Sequence, residues 1–150
     1  MRECFNKIHW KKILTAGCIY SIIAFIVHQI EAVLTMNYYL MPEYFGVWSK
    51  VMMPKAGPPP TSFFITSVLF SLATGVVLAV FYEYIKSLLP KDKWQRTVCF
   101  TKIVVRLSFV FFSLPTYLLF NLPFMLLVWW FISSVVIYFL AAIVFVRVLK

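Results

Sequence analysis

Three polar residues stand close together near the end of an otherwise apolar stretch: His28, Gln29 and Glu31. An imidazole beside a carboxyl group has the chemistry to exchange protons or to bind a cation. Ionisable side chains are costly inside a bilayer, so this cluster is a candidate intramembrane site. Glu31 lies about 28 Å along a helix from Lys12, however, near the boundary of a hydrocarbon core about 30 Å thick. A structural or interfacial role therefore competes with a proton, ion or substrate role.

Metal and cofactor chemistry has less support. His9 and His28 are 19 positions apart. In one helix this separation is about 28 Å, too far for both imidazoles to bind one haem iron within a subunit. Methionines collect between the first two apolar stretches, and thioethers suit Cu(I), but the spacing is irregular and methionine is a common filler of apolar surfaces. The sequence predicts no metal and no cofactor.

The motifs of several enzyme classes do not occur in the sequence. There is no G-x-S-x-G turn, no H-E-x-x-H helix, no Gly-rich phosphate loop and no C-x-x-C pair. The single aspartate, Asp92, lies in a basic stretch. The sequence identifies no catalytic residue and favours a protein that is not an enzyme.

Four long apolar stretches must position these residues: 13–35, 62–84, 99–120 and 124–146. Each is close to the roughly 20 residues that a helix needs to cross a bilayer. The chain is 63% hydrophobic and 13% charged, which is too little polar surface for a water-soluble globule of 150 residues. Barrel strands would alternate apolar and polar residues, and these stretches do not. We predict a single all-α domain, a polytopic membrane protein with four transmembrane helices in a lipid bilayer.

The positive charge lies unevenly around the four stretches. Lysine and arginine cluster before the first, between the second and third, and after the fourth, whereas only Lys50 and Lys55 lie in the other two connections. Cytoplasmic connections carry the excess of positive charge, so we predict a cell-membrane protein with both termini cytoplasmic. The net charge of +9 needs no nucleic acid to explain it, since basic residues beside spans favour anionic headgroups.

Small and polar residues form two candidate helix-packing faces. They recur in steps of four and three in the first stretch, and in strict steps of four in the second. Small side chains let helix backbones approach closely, which favours association where lipid covers every apolar surface. We expect these faces to pack the first two helices together or to bind a second copy or another membrane protein. The first face comprises Gly17, Ser21 and Ala24, continuing to His28, Glu31 and Thr35, and the second comprises Ser67, Ser71, Gly75 and Ala79.

Other residues mark the ends and irregularities of the helices. Glu83 ends the second face, and Lys102 or Arg106, one turn apart, is its candidate ion-pair partner at the cytoplasmic surface. Pro115 lies inside the third stretch and predicts a kink. The aromatic-rich connection between the first two stretches predicts a short in-plane helix over 43–53 in the outer headgroup region.

The order of features resembles an uncharacterised family of small prokaryotic four-helix integral membrane proteins. The shared features are the segment from Trp48 to Pro54, a small-residue second helix, a basic connection, Leu114-Pro115, Asn121-Leu122-Pro123, Trp129-Trp130, and a last helix with serine and alanine. The resemblance implies a fold and a membrane location, and it implies no assigned activity.

Two functions remain open on the sequence. The favoured one is a non-catalytic interaction or structural component of a membrane, acting through the small-residue faces. The alternative is a small proton- or cation-coupled transporter or channel subunit that uses His28 and Glu31. Because four helices enclose little room, transport would require an oligomer.

Overall fold

The computed structural model of the chain describes residues 9–55 and 58–149. Four of its helices are long and apolar enough to cross a membrane. Helix α1 is Trp10–Tyr39, α2 is Thr61–Ile85 followed by the 3-10 turn Lys86–Leu88, α3 is Lys93–Leu119, and α4 is Phe124–Val148. The predicted fold class is confirmed. Arg2, Lys7 and Lys150, which contribute to the predicted charge asymmetry, lie outside the described residues.

Helix α1 extends beyond its apolar stretch. It contains 30 residues. Its length is therefore about 45 Å, more than the thickness of a hydrocarbon core of about 30 Å. The added turn at its end carries Tyr38 and Tyr39, whose rings pack against the connection that follows. Glu31 consequently lies about two turns before the end of the helix.

Contacts between helix ends define an antiparallel bundle. Helix α1 packs against α2 and α4, and α4 packs against α3. Lys86, after α2, contacts Leu149, after α4, and Tyr39 at the end of α1 contacts Trp130 near the start of α4. We call the end that holds His9, residues 86–93 and Leu149 the basic end. The end that holds residues 40–55, 58–60 and 120–123 is called the loop end.

An aromatic cluster joins three helices toward the basic end. Tyr82 of α2, Phe100 of α3 and Phe145 of α4 are fully buried. Their ring centroids are 5.1 to 6.1 Å apart. Aromatic pairs in such arrangements contribute about 0.5–1.5 kcal/mol each beyond the burial of their surface. This cluster fixes α2 and α3 close together at the basic end.

Helix α3 changes its hydrogen-bonding pattern directly before Pro115. Lys93–Ser108 is α-helical, Phe109–Ser113 is π-helical, and Leu114–Leu119 is α-helical again. Proline has no N–H, and its ring collides with the carbonyl four residues earlier in a regular helix. In the π-helical turn, the Leu114 N–H donates to the Phe109 carbonyl. This wider turn places an extra residue just before Pro115.

The connection between α1 and α2 folds back onto the bundle at the loop end. A 3-10 helix covers Pro42–Val47, shorter than the helix predicted over 43–53. It ends because Trp48 adopts an extended backbone, and the Trp48 ring packs against Tyr39. Met53 is buried in the same cluster, together with Leu126 of α4. The connection is therefore tied to both α1 and α4.

Candidate functional site

The Glu31 carboxyl group is buried among hydrogen-bond donors in the loop-end half of the bundle. Its residue is 6% exposed. Glu31 Oε1 accepts a hydrogen bond of 2.7 Å from Thr35 Oγ1 and one of 3.4 Å from the Tyr39 hydroxyl. Residues four and eight positions apart lie on one face of a helix. Helix α1 therefore provides both the carboxyl group and two of its donors.

A tryptophan of α4 extends this arrangement across the bundle. Trp130 Nε1 donates to the Tyr39 hydroxyl at 2.7 Å. The Tyr39 hydroxyl thus accepts from α4 while it donates to Glu31. The ring of Trp48 packs on Tyr39 at a centroid distance of 5.0 Å and on Trp130 at 6.4 Å. We call Glu31, Thr35, Tyr39 and Trp130 the Glu31 network.

His28 lies beside the network, and Gln29 lies apart from it. The His28 side chain is 53% exposed, and its Nδ1 atom is 3.9 Å from Glu31 Oε2. Gln29 is exposed and forms no side-chain hydrogen bond within residues 9–55 and 58–149. The sequence predicts that Glu31 lies near the boundary of the hydrocarbon core; the structure adds that its side chain is buried within the bundle, because α1 continues to Tyr39 and Trp130 packs beside that residue.

A cleft of about 1120 Å³ opens next to the network, between α2 and α3. Helices α2 and α3 meet through Phe81, Tyr82 and Phe100 near the basic end. Toward the loop end the cleft separates them, and its remaining walls come from α1, α4 and the connection after α1. His28 and Glu31 belong to its α1 wall. The site therefore combines a mostly apolar cleft with one buried carboxyl group.

The two small-residue faces meet at a pair of glycines. A methyl group added to Gly75 would lie 2.8 Å from the Gly17 carbonyl oxygen, and one added to Gly17 would lie 2.7 Å from a Val76 methyl group. Ser21, one turn further along α1, is buried and donates to the Val68 carbonyl at 3.2 Å. The two backbones thus cross at close range. Ala24 and Ala79 are also buried along the bundle interior.

The rest of the α2 face has a different environment. Ser67 and Ser71 are half-buried and line the cleft. The Ser67 hydroxyl donates to the carbonyl of Phe63 in its own helix, at 2.8 Å. Only the basic-end half of this face, with Gly75 and Ala79, is buried within the bundle.

Glu83 has a different partner from the predicted one. Lys86 Nζ lies 2.7 Å from Glu83 Oε1 and also donates to the Leu149 carbonyl at 3.3 Å. Lys102 and Arg106, the candidates from the sequence, are both exposed on α3. The pair forms because Lys86 follows Glu83 by three positions at the end of α2, which places both side chains on one face.

The sequence places Glu31 and Thr35 on one face of α1 but does not connect Tyr39 or Trp130 with them. The regular spacing of Glu31, Thr35 and Tyr39 was an available signal, since side chains at such steps share a face. The contact of Tyr39 with Trp130 joins residues 91 positions apart. A single sequence carries no signal for such a contact.

The groups at the site suit proton exchange or weak cation binding more than tight metal binding. Within the described ranges, no cluster of three or more His, Cys, Asp or Glu side chains is placed to hold a metal ion.

No protein-family model, no curated protein and no solved structure matches this chain.

Proposed function

We propose that the protein is a non-catalytic structural component of the cell membrane that acts by packing against a second copy of itself. The observation that carries this proposal is the cleft between α2 and α3. Its α2 wall continues the ridge of small residues that packs on α1: Gly75 and Ala79 are covered, whereas Ser67 and Ser71 face the cleft. An uncovered ridge of small residues lets another helix approach closely.

The position of the unpartnered surface favours a second copy as the occupant. Phe70 of α2 and Phe111 of α3 line the cleft, and both side chains are exposed. A two-fold contact uses the same surface patch on both subunits. A contact between the loop-end halves of two α2 helices would therefore cover the exposed apolar residues and the cleft opening together.

Cysteine cross-linking in membranes tests this contact. In a background with Cys4, Cys18 and Cys99 replaced by alanine, Ser71→Cys is expected to give a disulfide-linked dimer on oxidation, because the two α2 helices face each other there. Ala73→Cys is the matched control: Ala73 is exposed on another face of the same helix. It is expected to give little dimer. Equal cross-linking at both positions, or none at either, would contradict the proposed contact.

We further infer that both termini are cytoplasmic. The described basic residues support this, since Lys11, Lys12, Lys91, Lys93 and Arg147 all lie near the basic end, and Lys50 and Lys55 lie at the loop end. Alkaline phosphatase, which is active only outside the cytoplasm, is expected to be active when fused after residue 55 and inactive when fused after residue 91 or 150. The reverse pattern would overturn the assignment.

A proton- or cation-coupled role is the second candidate, and the position of Thr35 favours it. Thr35 Oγ1 lies 2.7 Å from both the backbone carbonyl oxygen and Oε1 of Glu31. The hydroxyl can donate to an ionised carboxylate, or it can accept from a neutral carboxyl group while donating to the carbonyl. Glu31 thus keeps a hydrogen bond to Thr35 in both protonation states. A group that takes up and releases a proton requires this.

Proton flux into vesicles separates the two functions. Under the second one, the wild-type protein conducts protons when a membrane potential is imposed, Glu31→Gln abolishes the flux because an amide releases no proton, and His28→Ala reduces it. Gln29→Ala is the control that leaves the flux unchanged, since Gln29 lies outside the network. Under the structural function, wild-type vesicles show the same flux as protein-free vesicles.

A further inference from the structure

Lys102 and Arg106 are exposed cations without an acidic partner in the described part of the chain. They lie one turn apart on α3 and are both exposed. Neither forms an ion pair or a side-chain hydrogen bond with residues 9–55 or 58–149; the two ion pairs there are His28 with Glu31 and Lys86 with Glu83. Within these ranges, both cations are therefore open to an anion from another molecule.

Arg106 also lies deep along its helix. It follows Lys93, the first residue of α3, by 13 positions in a helix of 27 residues. This places it about 20 Å from the start of α3, near the helix midpoint. An exposed guanidinium at such a depth is costly unless it reaches the interface or meets an anion.

An apolar groove begins at Arg106. Its volume is about 300 Å³, and it is lined by Arg106 with Val105, Phe109, Val110 and Phe131. The rings of Phe109 on α3 and Phe131 on α4 are 5.7 Å apart, edge to face. The groove shares no lining residue with the large cleft. It is a separate surface between α3 and α4.

We propose that this surface binds an anionic phospholipid, with its phosphate held between Lys102 and Arg106 and an acyl chain in the groove. A guanidinium binds phosphate oxygens through two parallel hydrogen bonds, and a lysine adds a point charge. Along α3, the groove residues Phe109 and Val110 follow Arg106 toward the loop end. An acyl chain has this same course from its headgroup into the bilayer. The apolar groove identifies the source of the phosphate as a lipid.

Lipid binding to the full-length protein in neutral detergent tests the site. Bound phosphatidylglycerol and phosphatidylcholine with identical acyl chains are counted by native mass spectrometry. The wild-type protein is expected to prefer phosphatidylglycerol. Lys102→Gln and Arg106→Gln are each expected to weaken that preference about fivefold, since the loss of one exposed ion pair has an effect of up to about that size. Arg106→Lys keeps the charge but loses the paired hydrogen bonds, so its preference is expected to lie between those of the wild type and Arg106→Gln.

The matched control is the double variant Lys93→Gln, Arg147→Gln, which removes two exposed charges from the basic end. It is expected to retain the preference. If the control loses as much of the preference as the double variant Lys102→Gln, Arg106→Gln, the attraction is diffuse and the site is overturned. Competition by inorganic phosphate at the lipid concentration would also overturn it. The double variant Lys102→Gln, Arg106→Gln could instead lose a dimer while its lipid binding is unchanged. That result would assign the two cations to an acidic group of a partner and overturn the site.

Discussion

Gly75→Leu is expected to separate α1 from α2 and to lower the free energy of unfolding by at least about 3 kcal/mol. Smaller additions to a close contact typically cost about 1–3 kcal/mol, and leucine is a larger addition. Even the first added carbon would lie 2.8 Å from the Gly17 carbonyl oxygen and from the Tyr20 side chain. The carbonyl belongs to the backbone and cannot rotate away. The two helices must therefore move apart, and the contacts of Ser21 with the Val68 carbonyl would be lost with them.

The measurement is the unfolding midpoint in mixed micelles with increasing sodium dodecyl sulfate. Ala73→Leu is the matched control, since it adds a similar volume to an exposed position of the same helix. It is expected to leave the midpoint almost unchanged. Gly75→Ala should lie between the two, as a single methyl group requires a smaller shift. Equal midpoints for Gly75→Leu and Ala73→Leu would show that α1 and α2 do not depend on this crossing.

Tyr39→Phe is expected to destabilise the loop end by about 1–2 kcal/mol, because it leaves the half-buried N–H of Trp130 unpaired. The Tyr39 hydroxyl is the acceptor for Trp130 Nε1 at 2.7 Å and a donor to Glu31 at 3.4 Å. The ring itself remains in phenylalanine, so its packing against Trp48 is kept. The variant thus isolates the hydroxyl group, and α4 loses its hydrogen bond to the Glu31 network.

Tyr38→Phe is the control for this prediction. Tyr38 is half-buried beside the same cluster, and among the described residues its hydroxyl has no hydrogen-bond partner. Thermal unfolding in detergent is expected to shift for Tyr39→Phe and to stay unchanged for Tyr38→Phe. The tryptophan emission should change only in the first variant, since the Trp130 N–H loses its acceptor. Equal melting temperatures for the two variants would count against the network.

Hydrophobic length and small-residue spacing make parts of this structure readable from sequence. The four spans and the all-helical fold depend only on runs of apolar residues in a solvent that forbids unpaired backbone groups. The close approach at Gly17 and Gly75 involves two of the residues that the spacing singles out. The ends of the helices are harder to predict from sequence. Helix α1 continues to Tyr39 because its last rings have partners at the loop end.

The contacts of the polar groups are harder to predict from the sequence than the helices are. Glu31 is identified by its type, but its burial depends on Thr35 and Tyr39 above it and on Trp130 of another helix. Glu83 pairs with Lys86, three positions later, and not with the cations of the next helix. The sequence carries the residue types and the spacing of partners along one helix, whereas a partner on another helix, such as Trp130, is set by which helices stand side by side.

The amino-acid sequence by itself determined that this chain forms four apolar helices and which of their residues are small or ionisable, since these properties belong to each segment separately. The tertiary structure alone decided that α2 and α3 diverge into a cleft, that Glu31 is buried beside it, and that Lys102 and Arg106 remain exposed at a groove. The reason is physical: hydrophobicity places a helix in the membrane, but the packing of neighbouring helices sets its rotation and tilt.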